Sequence, residues 1–67
     1  MFRNIEIIIF QKNLSKREIA KKLGMTYNTL LLKLSGKATF TLDEALKLKE
    51  ILESSLSIEE LFDPAAA

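Results

Sequence analysis

Three times in 67 residues a Ser or Thr stands three positions ahead of a glutamate at the head of an apolar-periodic stretch: Ser15-x-x-Glu18, Thr41-x-x-Glu44 and Ser57-x-x-Glu60. In this spacing the hydroxyl accepts an orphan backbone N–H of the first helical turn, and the glutamate accepts the N–H of the capping residue. Thr26 heads a further stretch as a plain N-cap. Leu14 with Ile19, Met25 with Leu30, and Leu56 with Leu61 add the spacing of a hydrophobic staple across three of these starts. One such match is common by chance, whereas four staggered starts restrict so short a chain to a succession of short helices. Gly24 and Gly36 fall just past the second and third of them, where a left-handed residue ends a helix. The pattern predicts helices over 2–12, 16–23, 27–35, 42–53 and 58–62. None is long enough to be stable alone, so they must pack on one another in an all-α, five-helix domain.

The first of these helices rests on weaker signals. Ile5, Ile8 and Ile9 have helical spacing, with Lys12 continuing the face through its aliphatic stem. Ile5, Ile7 and Ile9 also alternate as in a strand. Helix is preferred because nothing else in the chain offers a partner strand. Ile7 and Phe10 then lie off the main stripe and widen the apolar face.

A chain of this size forms one domain, read as residues 1–63, and its stability margin is thin. Pro64 and the three alanines after it are read as a tail outside that domain, in the manner of an appended segment. With no cysteine and no histidine, neither a disulfide nor a Cys/His zinc site is expected, and neither is a Ser-His or Cys-His nucleophile. There is no glycine-rich phosphate loop. Asp43, Glu44, Glu59 and Glu60 sit in first turns of helices, where capping and the helix dipole account for them. No catalytic residue, metal, cofactor or small-molecule ligand is therefore expected. The 48% hydrophobic and 28% charged composition is that of a folded chain with one core. Its longest uncharged apolar run, Ile7–Phe10, is far short of a membrane span. Lacking also a signal-peptide pattern, the chain is expected in the cytoplasm.

The net charge of +1 conceals a division. Residues 1–40 carry eight cationic and two acidic side chains, a net +6; residues 41–67 carry two and seven, a net −5. A basic front on an acidic back suggests one face directed at a polyanion, although solvated helix faces produce the same tally.

The stretch LSKREIAKKLGMTYNTLLLKLSGK, residues 14–37, joins two short helices through a tight turn. Ala20 is small where the helices would approach, Gly24 supplies the turn, and Ile19, Leu23, Met25, Leu30 and Leu34 are spaced as a shared apolar seam. With the L-S-x-x-E-I-A-K-K-L-G first helix, the cap at Thr26 and the closing L-S-G-K, it resembles the helix-turn-helix of the Cro/CI-type (XRE, lambda repressor-like) transcriptional regulators. The downstream F-T-L-D-E-A-L-K-L and S-I-E-E-L-F segments look like that family's fourth and fifth helices, so the resemblance spans about residues 4–62. It implies a compact lambda repressor-like fold with a central helix-turn-helix. It also implies a phage- or bacterial-type repressor that binds double-stranded DNA as a homodimer on an inverted repeat.

In that setting the second helix of the pair enters the major groove with its N-terminal residues toward the bases. Asn28 is the foremost candidate, because its amide matches adenine N6/N7 in a bidentate pair. Tyr27 and Thr29 are the other expected base contacts. Phosphate contacts are expected from Lys16, Arg17, Thr26, Lys33 and Lys37, whereas Lys21 and Lys22 are read as solvated. Relatives often place glutamine where Lys16 stands; lysine keeps a phosphate contact but not the amide's paired hydrogen bonds. Relatives also place polar or charged residues at the positions of Leu31 and Leu32, which here leave most of the helix circumference apolar. These leucines meet thymine methyls, the protein's own core or another protein. Leu56, Leu61 and Phe62 lie where relatives form dimer contacts and serve equally well as core. The rival reading is a protein-interaction module on the same scaffold that binds no DNA itself.

Overall fold

The computed structural model describes residues 2–63, and the tail read at 64–67 lies outside the described residues. Five helices follow in order: α1 Arg3–Gln11, α2 Lys16–Leu23, α3 Tyr27–Leu34, α4 Leu42–Leu52 and α5 Ile58–Leu61. The described residues contain no strand, and the alternating isoleucines of α1 are helical.

Each predicted cap is where the sequence puts it, with one incomplete. The Glu18 N–H donates to Ser15 Oγ at 3.3 Å, and the Thr29 N–H to Thr26 Oγ1 at 3.1 Å. Thr41 with Glu44 and Ser57 with Glu60 form both halves of the capping box. At Ser15 only the hydroxyl half forms, so the box expected there is a simple N-cap. The helix ends are as locally determined. Gly24 (φ 75°) and Gly36 (φ 86°) are left-handed. Beyond Gly24, the Met25 N–H reaches back to the Ala20 carbonyl at 3.0 Å; beyond Gly36, the Lys37 N–H reaches the Leu32 carbonyl at 3.0 Å. These are the long backbone bonds of the Schellman motif. Asn13 ends α1 in the same way without glycine, at φ 53°, with the Leu14 N–H bonded to the Ile9 carbonyl.

α2 packs on α3 and α4, while α1 and α4 pack on α5. The core is entirely apolar: Ile5, Ile9, Ile19, Ala20, Leu23, Leu30, Leu34, Leu48, Leu52 and Leu61 form one cluster. Four of the five seam residues are thus buried, and Met25 is partly buried beside them. Leu14 and Leu56 likewise pack against the cluster that holds Ile19 and Leu61, as the staples require. Leu61 is wholly buried, and Leu56 and Phe62 are partly buried against the same core, so this segment is spent on the domain's own packing. Phe2, Phe40 and Phe62 close one end of the core, the last two edge to face at 5.2 Å between ring centroids. The Cα radius of gyration, 10.7 Å, equals the value of about 11 Å for a compact chain of this length.

Two contacts tie the first helix to its neighbours. Lys12 Nζ donates to the Leu52 and Glu53 carbonyls at 2.5 and 3.1 Å. A cation thereby closes the C-terminus of α4, where the dipole and unpaired carbonyls favour it. Lys16 at the start of α2 pairs with Glu6 of α1 at 2.9 Å. No helix is long and apolar enough to cross a membrane among the described residues.

Candidate nucleic-acid interface

The connection between α2 and α3 is three residues long, Gly24 to Thr26. Because it is so short and both helices bury their facing sides, the first turn of α3 is held at the surface beside α2. Thr26 and Asn28 are exposed there; Tyr27 and Thr29 are half-buried. Thr26 Oγ1 accepts the Thr29 N–H and donates to Thr29 Oγ1 at 2.8 Å, so both hydroxyls serve the cap. Of the three expected base contacts, Asn28 alone presents an exposed side chain.

The four cationic side chains among the expected phosphate contacts divide into two groups. Arg17 and Lys37 are exposed. The Arg17 guanidinium lies over the Tyr27 ring, 4.3 Å from its centroid, a stacking that holds a charge at the junction of α2 and α3. Lys16 and Lys33 are instead held by carboxylates: Lys16 by Glu6, and Lys33 by Glu44 at 2.6 Å with its side chain only 14% exposed. A phosphate at Lys33 would have to displace that carboxylate. Lys21 and Lys22 are exposed in the last turn of α2, as read from the sequence.

Glu44 concentrates the charge arrangement behind the site. Its carboxylate accepts from Lys33 Nζ and from the Thr41 N–H. The Lys33 hydrogen bond first, and the Thr41 backbone second, hold its carboxyl below the ordinary glutamate value. Glu60 is lowered in the same direction by the Ser57 backbone N–H.

One feature of α3 separates it from the other four helices. Each of those carries a carboxylate in its first turn: Glu6, Glu18, Asp43 with Glu44, and Glu59 with Glu60. The first turn of α3 has none. Its partial positive end is therefore left without the compensating charge that its neighbours supply for themselves. Further along, Asn28, Leu31, Leu32, Ser35 and Lys37 line a shallow groove on the outer side of the helix, again without a carboxylate. Ser35 was not singled out by the sequence, although it lies seven residues beyond Asn28 and hence on the same stripe. Among the described residues, no group of three or more His, Cys, Asp or Glu is placed to hold a metal ion. Compared with protein-family models, with curated proteins and with solved structures, the chain finds no match.

Proposed function

We propose that this chain is a sequence-specific double-stranded DNA-binding protein, a small transcriptional repressor of the phage or bacterial helix-turn-helix type. In this reading α3 is the recognition helix, α2 lies across the backbone, and two copies read an inverted repeat with half-sites about 10 bp apart or a multiple of that. One observation carries it: an outward helix face with an exposed amide, free of carboxylates, and bracketed by Arg17 and Lys37. Asn28 reads adenine, and Arg17, Lys37 and the Thr26 end of α3 hold phosphates. The sequence resemblance of residues 4–62 supports the same assignment. A bacterial cytoplasm is its natural setting.

The decisive test is selection from a random duplex library, with a mass measurement of the free and bound protein. An enriched palindrome bound by two copies is the expected result, with affinity falling steeply as salt rises. Asn28→Ala should lose about 1–3 kcal/mol of discrimination at one base pair per half-site, whereas Lys37→Ala should weaken all sequences alike. Binding that is flat in salt, or a library that yields no enriched sequence, refutes the assignment. A second reading is favoured by Phe10, 85% exposed on α1, and by Leu42 and Leu46, exposed on α4. Such residues suit a protein partner, and a stable hetero-complex with no selected duplex would establish the protein-interaction module instead.

A further inference from the structure

The groove along α3 is polar at its two ends and apolar in its middle. Asn28 stands at one end and Lys37 at the other, with Leu31 and Leu32 between them. Leu31 is half-buried and also borders a second hollow with Glu6, Lys16 and Leu34. Leu32 is the residue turned outward, 48% exposed, one turn beyond Asn28 on the same stripe. A leucine so placed gains only when something apolar covers it. Its surroundings restrict the cover. A partner must meet an amide on one side and a cation on the other, and the absence of carboxylates from the groove favours one that is negatively charged.

A thymine in the major groove meets all these conditions. Its C5-methyl is an apolar knob at the groove edge, an adenine in a neighbouring base pair offers the N6/N7 pair that suits an amide, and phosphates flank both. The dimensions agree as well. Four residues advance about 6 Å along a helix, and successive base pairs lie about 3.4 Å apart. Side chains at 28 and 32 therefore address base pairs one or two steps apart.

We propose that Leu32 is a specificity-determining residue that reads the C5-methyl of a thymine one or two base pairs from the base met by Asn28. The inference rests on the DNA-binding reading above and adds what that reading leaves open, the chemistry recognised beyond the polar window. It makes the site a reader of A·T-containing steps through one amide and one leucine. Base discrimination at the second position then depends on a methyl group and on no hydrogen bond.

Replacing thymine by deoxyuridine removes the methyl and leaves every hydrogen-bonding group in place. The experiment takes the full chain and the duplex enriched from the random library, and replaces each thymine singly by deoxyuridine. One position in each half-site should lose about fourfold in affinity, the worth of one buried methyl-sized group. In Leu32→Ala the same replacement should make no difference, with the circular dichroism spectrum unchanged because the residue is half outside the fold. If the duplex binds with steep salt dependence yet tolerates uridine at every position, the inference is overturned and the DNA reading stands. A uridine-sensitive position that stays sensitive in Leu32→Ala gives the methyl contact to another side chain, which also overturns it. Failure to enrich any duplex removes the DNA reading and the inference together.

Discussion

Replacing Gly24 by alanine isolates the conformational cost of the turn between α2 and α3. The residue sits at φ 75°, and a Cβ built there would meet no atom within 4 Å. No clash and no lost contact therefore enter the sum. What remains is the penalty for an L-residue in the left-handed region, about 1–2 kcal/mol. Against it stands about 0.4–1 kcal/mol gained because alanine leaves the unfolded chain less freedom. The net loss centres on about 0.8 kcal/mol, which in a domain of this size lowers the Tm by about 3–6 °C. Glu53 supplies the reciprocal experiment, since it is exposed and left-handed at φ 50°. Glu53→Gly exchanges the same two terms with opposite sign and should raise the Tm by a similar amount. Thermal melts followed by circular dichroism, with urea titrations at unchanged slope, read both variants. A Gly24→Ala protein as stable as the parent, or one weakened by more than about 3 kcal/mol, would refute the reasoning: the first denies the left-handed turn, the second requires a clash the structure does not have.

Lys12→Met keeps the aliphatic stem but removes the ammonium from the Leu52 and Glu53 carbonyls. It should cost about 1 kcal/mol in the same melts. Acid should also weaken the domain. The Glu44 and Glu60 carboxyls lie below their ordinary value in the folded state. Their contribution is complete above the ordinary glutamate range and fades as pH falls through the depressed folded values. Glu44→Gln should lower stability by about 0.5–1 kcal/mol at neutral pH and flatten part of the acid limb of a Tm-against-pH curve; an unchanged limb would show that Lys33 and Thr41 do not act on this carboxylate.

What the sequence discloses here is whatever is decided within about five residues. A cap hydroxyl and the N–H it accepts are three positions apart, so the starts of α2, α3, α4 and α5 could be read directly. Gly24 and Gly36 marked two ends because glycine advertises a left-handed backbone. Asn13 and Glu53 do the same work without the advertisement, and neither is foreseen. Pairings across the fold were equally hidden. Lys33 reads as a free cation fit for a phosphate until α4 brings Glu44 against it, and Lys12 shows its stem in the pattern but not the carbonyls its head will meet. At the candidate interface the polar window was legible by type. Which of its members face outward was not, because Tyr27 is covered by Arg17 and Thr29 by its own cap.

The trio of phenylalanines has a consequence for how the molecule can be joined to others. Phe2 and Phe62 meet edge to face, 5.3 Å between centroids, so the first and last stretches of the described domain are fastened at the same end of the core. A partner fused beside either stretch would lie toward that end of the molecule. Two copies joined in a single polypeptide would therefore be tethered through this same end of each domain.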